Sequence, residues 1–351
     1  AAGNPPAYNK SVREFDIVTL DRVRKISIQA DTDVWLEYAG EKGIHGAILS
    51  YLSLKKENFY IVENTVDGKF FVTARGWEDL SEILKSYEEL QVEIGEELIG
   101  EFLQKEEIAR DFAGYYRLYE KYKSDYQIQE ILDGNVISGQ LKTCCDMGKK
   151  ASFEERFTVT EMLLEAVTER ISVFQKIDEK TEKLYENLKL LKIFLQEKNS
   201  VEAMEQFVAS RRKALDAKIC SELLTAEEAA REEEQIRILE EYFFQLKELH
   251  ISDVAEGIEQ IGERFGNVCR LRNEKLEETK KMLEQAFSFL EECFGEGQEL
   301  LLFETGLTGD DRCSIFISQY GCPSYFKHCE LLLYSKKENE LRKECRDLLE
   351  E

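Results

Sequence analysis

Residues 149–256 contain neither glycine nor proline, and the whole chain of 351 residues holds only three prolines, Pro5, Pro6 and Pro323. Average composition would supply about 17 prolines at this length. These two residue types end helices most strongly, glycine through backbone entropy and proline through a missing N–H and a steric clash. A stretch without either predicts long helices, and the interval from Pro6 to Pro323 is open to helix almost throughout.

The apolar residues set the period within that stretch. Ile177, Thr181, Leu184, Leu188, Leu191 and Leu195 recur at alternating steps of four and three, as do Val254, Ile258, Ile261, Phe265 and Val268, with the second pattern running on through Leu283, Phe287 and Leu290. Such seams point at a partner helix. Ser152 with Glu155, Asn199 with Glu202 and Thr225 with Glu228 are capping patterns in which side chains satisfy orphan amides at a helix start. Helices are therefore expected over 155–198, 200–223, 226–250 and from 254 onward, forming a long antiparallel bundle or coiled-coil arm over 146–294. A small helical C-terminal cap is expected over 295–351, with Gly321 stopping one helix, Pro323 opening another and a last helix running through Leu341 and Leu348.

The first part of the chain reads differently. Residues 24–29 alternate polar with Ile26 and Ile28, the period of a strand. Residues 31–39 and 44–54 follow as amphipathic helices separated by Gly43. Residues 59–62 and 70–72 flank Asp67-Gly68, a pair suited to a tight hairpin turn. Thr73 can cap the next helix, whose face carries Trp77, Leu80, Ile83 and Leu84 and whose first turn holds Arg75. Further helices are expected at 94–103, 106–123 and 126–132. The glycines at 134 and 139 mark a linker, and a domain boundary is expected near 145.

Charge and composition narrow the function. Lys and Arg number 47 against 71 Asp and Glu, a net charge of −24, which argues against bulk binding of nucleic acid because that needs a basic face. Hydrophobic residues at 43% are too many for a disordered acidic tail. No uncharged apolar run reaches about 18 residues, so no membrane span is expected. Nine scattered cysteines fit reduced thiols in a cytoplasmic setting. The sequence holds no GxxxxGK[ST], HExxH, GxSxG or paired CxxC. Its three histidines, His45, His250 and His328, are far apart. Cys313, Cys322, His328 and Cys329 lie close in sequence, but their spacing matches no zinc module and adjacent His-Cys side chains diverge on a helix, so no metal is assigned. The acidic runs at 88–101 and 227–234 read as solvated helix faces.

Three segments in order carry a resemblance. AAGNPPAYNKSVREFDIVTLDRV, DVWLEYAGEKGIHGAILSYL and NFYIVENTVDGKFFVTARGWEDLSEIL together resemble the back half of a MoxR-type AAA+ ATPase module, over about a third of the chain. The resemblance implies residues 1–30 as the end of an α/β core and 31–145 as a helical lid. It implies Asn4 as the sensor-1 residue that orients the water attacking the γ-phosphate, Arg22 as the arginine finger reaching a neighbouring subunit's nucleotide, and Arg75 as the sensor-2 arginine of the lid; Arg13 is a weaker candidate for an inter-subunit contact. It further implies ATP and Mg²⁺ as ligands of the parent, a homo-oligomeric, usually hexameric ring, chaperone or remodelling work, and a partner bearing a von Willebrand factor A domain. The family's phosphate-binding loop and Mg²⁺-holding strand belong upstream of Ala1. The polypeptide is thus expected to be the C-terminal portion of a longer protein and not to hydrolyse ATP by itself. A non-enzymatic helical scaffold or adaptor is the competing expectation.

Overall fold

The computed structural model describes residues 21–22, 28–65, 68–134, 138–195 and 199–331. The described chain is mainly α-helical, and its strands are confined to one two-stranded hairpin. It divides into two compact units, Ala1–Arg117 and Leu118–Glu351.

In the first unit, helix α1 (Thr32–Lys42) begins at Asp31, whose carboxylate accepts the amides of Asp33 and Val34, and ends at Gly43 in the left-handed region (φ 66°). Helix α2 (Gly46–Leu54) is capped by the His45 ring, whose Nδ1 accepts the Ala47 N–H at 3.1 Å. Strands β1 (Ile61–Thr65) and β2 (Gly68–Val72) pair antiparallel, with Ile61 opposite Val72 and Thr65 opposite Gly68. The ladder is longer than the sequence pattern suggested, because β-pairing extends through the polar Glu63 and Asn64. Helices α3 (Ala74–Glu89) and α4 (Glu96–Phe102) follow, and α5 (Glu106–Tyr126) spans the division between units. The core is aromatic: the Tyr51 ring lies 5.8 Å from Trp77, 5.2 Å from Phe112 and 5.4 Å from Tyr115, and Trp77 meets Phe112 edge-on at 5.3 Å.

The second unit contains α6 (Ile128–Asp133), α7 (Ser138–Gly148), and four long helices: α8 (Phe153–Phe194), α9 (Ser200–Cys220), α10 (Ala226–Glu248) and α11 (Val254–Phe294). Thr225 and Glu228 form a complete capping box. At Ser152 only half of one forms, because the Glu155 carboxylate instead accepts the Tyr126 hydroxyl at 2.8 Å. The two apolar seams face largely inward, although Ile258 is exposed. Leu184, Leu191 and Leu195 pack with Phe207, Leu239, Leu246 and Ile261 in one aliphatic core, and Leu188 and Phe265 lie partly buried against it.

Two sequence expectations sit differently here. The expected boundary near 145 falls on α7, whereas the units part at 117/118; of the expected linker, Gly134 ends α6, Gly139 lies in α7, and residues 135–137 lie outside the described residues. Gly134 ends α6 in the left-handed region (φ 68°), and Gly148 at the end of α7 serves close packing, since a Cβ there would lie 2.8 Å from Phe294 Cε1. The residues after Gly295 form α12 (Gln298–Gly309), α13 (Asp311–Tyr320) and α14 (Pro323–Leu331). These pack along α8 and α11, with a Cβ on Gly306 falling 2.2 Å from Leu164 and Phe316 set edge-on to Phe174 at 5.4 Å. Residues 28–30 belong to no strand. The rest of the expected strand, residues 24–27, and the expected helix through Leu341 and Leu348 lie outside the described residues.

Candidate functional site

The sequence-predicted arginine with a defined setting is Arg75. Strand β2 runs directly into Thr73, whose extended backbone ends the strand and whose hydroxyl accepts the Gly76 N–H at 3.3 Å, starting α3. Arg75 therefore stands in the first turn of α3 and is exposed. Gly76 beside it allows a tight approach, since a Cβ there would sit 2.7 Å from the Phe102 carbonyl oxygen at the end of α4. Among the described residues Arg75 makes no ion pair or hydrogen bond. The amides of a helix start create a positive local field, so a cation there is unfavourable unless an anion joins it, at about 0.3–1 kcal/mol for an exposed charge. A guanidinium at a helix start is a setting suited to phosphate recognition.

Arg22 is helical and exposed next to Asp21, and it too has no hydrogen-bond or ion-pair partner among the described residues. No hydrogen bond or ion pair among the described residues links Arg22 to Arg75. Asn4 and Arg13 lie outside the described residues.

Two polar networks support this unit that the sequence reading did not find. Burial pushes the Tyr51 phenol up, and its hydrogen bond to Asp111 at 2.8 Å adds to the shift. Burial also acts to raise the Asp111 carboxyl, but the bonds from Lys55 at 2.5 Å and from Tyr51 outweigh it and hold the group below the ordinary carboxylate range. Asn58 completes the set by donating to the Tyr51 hydroxyl at 2.7 Å. In the second network, His45 Nδ1 is an acceptor, so Nε2 carries the proton and donates to Glu88 at 2.7 Å; Tyr116 donates to the same oxygen at 2.8 Å. A single histidine thus caps α2 and ties it to α3. Sequence spacing to the other histidines carried no signal for this, because its partners are a backbone amide and a carboxylate 43 residues away.

An open groove of about 530 Å³ lies nearby in the same unit, lined by Phe70, Glu96, Glu97, Leu103, Gln104 and Glu106. Its carboxylates sit in the first turns of α4 and α5, where the helix field favours them, and Arg110 pairs with both Glu96 and Glu106. An acidic rim repels phosphate, so this groove does not suit a phosphate-bearing ligand.

The cysteine-bearing tail is dispersed. Cys313 approaches the Thr168 hydroxyl, Cys322 the Glu284 carboxylate at 3.4 Å, and His328 the Glu291 carboxylate at 2.5 Å while stacking on Phe287. Among the described residues no group of three or more His, Cys, Asp or Glu side chains is arranged to hold a metal ion. No described helix is long and apolar enough to cross a membrane. No protein-family model matches the chain, and no curated protein or solved structure matches it either.

Proposed function

We propose that the chain is the C-terminal part of a MoxR-like AAA+ ATPase, an ATP-driven oligomeric chaperone or remodeller. The observation that carries the reading is Arg75: an exposed, unpartnered guanidinium in the first turn of a Thr-capped helix, where only an anion makes a cation favourable. It is supported by the order of AAGNP, LDRV and TARGW around a helical unit of the kind a lid requires. In this reading Asn4 holds the attacking water, Arg22 meets the γ-phosphate bound by the neighbouring subunit, and Arg75 grips phosphate from the lid. ATP and Mg²⁺ are held chiefly by residues preceding Ala1, and the subunits form a ring. Residues 146–351 engage a client or a partner bearing a von Willebrand factor A domain.

The competing reading, a helical scaffold without nucleotide chemistry, is favoured by the exposure of Leu190, Ile193 and Phe194 together near the end of α8. The reading frame upstream of Ala1 separates the two. A GxxxxGK[ST] loop followed by a strand ending in acidic residues supports the ATPase, and its absence overturns it. In the protein with that region present, Arg22→Ala is expected to lower turnover about 10³-fold or more with nucleotide affinity retained, since a finger acts on transition-state charge. Unchanged turnover would remove Arg22 from the mechanism.

A further inference from the structure

The start of α8 and the start of α12 leave an open groove of about 340 Å³ between them, lined by Phe153, Phe157, Gln298, Leu301, Leu302 and Thr305. Glu299 also borders it, but this side chain is buried and ion-paired with Arg156 at 3.2 Å, so its charge is met within the protein. The remaining lining is mostly apolar. Phe153 is 52% exposed and Leu301 43%. Single exposed apolar side chains are ordinary, but several together along a groove mark an interaction surface.

Helix α14 is aimed at this groove. Ser324 donates to Glu284 at 2.5 Å and Lys327 to Glu291 at 3.0 Å, so α14 runs parallel to α11. Tyr325 meets Thr308 at 2.7 Å, and His328 and Phe303 both lie against the Phe287 ring, so α14 runs antiparallel to α12. Leu331, six residues and about 9 Å beyond Tyr325, therefore comes level with Leu302, six residues before Thr308. The chain leaves α14 beside the groove. Residues 332–351 lie outside the described residues, and they open with Leu332, Leu333 and Tyr334, followed shortly by Lys336 and Lys337. Exposed acids flank the groove residues in sequence: Glu154 follows Phe153, and Glu296 precedes Gln298 by two.

We propose that the groove between α8 and α12 is a docking site for the chain's own residues 332–334, whose Leu and Tyr side chains cover Phe153, Phe157 and Leu301. An apolar segment followed by cations thus meets an apolar groove flanked by carboxylates, with Lys336 and Lys337 drawn toward Glu154 and Glu296. The tether favours this occupant over any other. A segment joined to its site by a few residues acts at a high effective concentration, so even a weak contact stays closed. Docking would clip the end of the chain to the start of α8, across the face of α12.

The full chain is made with the photocrosslinker p-benzoylphenylalanine in place of Tyr334, irradiated at low concentration, and its peptides are mapped. The expected product is a link within one chain to residues 153–157 or 301–305. Leu301→Glu, at an exposed position, should lower the yield of that link about tenfold or more, because a carboxylate buried in an apolar contact without a counter-charge is costly. Phe153→Ser, also exposed, should lower it too and serves as the test if Leu301→Glu does not fold. Links to other parts of the chain overturn the proposal, as do links found only in a crosslinked dimer, which would give the groove to a second copy. Groove links that neither substitution weakens also overturn it, since the tether alone would then account for them.

Discussion

The aromatic first unit and the four-helix arm of the second are held together by different physics. Around Tyr51, Trp77 and Phe112 the helices other than α5 are short, and buried or half-buried polar ties help fix them: Trp77 Nε1 to the Phe59 carbonyl at 3.1 Å, Tyr51 to Asp111, His45 to Glu88. In the arm, long helices bury an aliphatic seam, and the polar pairs, such as Lys180 with Glu234 at 2.9 Å and Arg212 with Glu240 at 2.8 Å, lie on the surface. Short helices cannot supply enough apolar area to fix their own orientation, so directional bonds do it. Long ones align by repetition of the seam. A polar substitution should therefore be costly in one region and nearly silent in the other.

Both tryptophans, Trp35 and Trp77, belong to the first unit, so tryptophan fluorescence follows its unfolding while far-UV dichroism is weighted toward the long helices. The largest effects should be core truncations. Trp77→Ala is expected to cost about 3–5 kcal/mol in the fluorescence transition followed through Trp35, and Leu239→Ala about 2–4 kcal/mol in the dichroism transition. A single transition shifted equally by both would show that the units do not unfold separately.

Next comes the polar contrast, which pH sharpens. Asp111→Ala should cost about 1–3 kcal/mol by leaving the buried Tyr51 hydroxyl without its acceptor, while Lys180→Ala should cost under about 0.5 kcal/mol. The Asp111 carboxyl is held low, so its contribution is present above the unfolded-state value and is lost as pH falls through the folded one. Glu161 on α8 behaves oppositely, because burial, reinforced by Glu165, pushes its carboxyl up to about 7. The folded state keeps that proton after the unfolded state has released it, so stability falls as pH rises from about 4.5 to 7. Acidification from pH 7 to about 4.5 should strengthen the dichroism transition, and further acidification below the ordinary aspartate range should weaken the fluorescence transition. Glu161→Gln should remove the dichroism dependence and stabilise the second unit by about 1–2 kcal/mol at pH 8. Transitions that move in the same direction with pH would break the contrast.

The smallest effect concerns helix ends. Helix α1 stops on Gly43 with φ 66°, but the turn after α10 places His250 at φ 54°. His250→Gly should stabilise the arm by up to about 1 kcal/mol, since only glycine adopts that conformation without a steric cost. An unchanged dichroism midpoint would show that the histidine's cost is met elsewhere.

How much was legible follows the same division. The arm was readable, because glycine-free, proline-free sequence with a steady apolar period specifies long helices and their buried face directly; α9 and α10 lie within a few residues of expectation. Thr73 as a cap and Arg75 in the first turn were also readable from local chemistry. Helix α7 was not, because Gly134 and Gly139 read as a linker, whereas Gly134 only ends α6 and Gly139 lies inside α7. The same holds for Tyr51 with Asp111 and His45 with Glu88, whose partners are distant along the chain. Periodicity and capping are local properties, carried in the order of residues, and they determined which segments are helical and which faces are apolar. Which glycine marks a close contact and which histidine is a cap depends on side chains that only folding brings within a few ångströms, and the tertiary structure alone decided those.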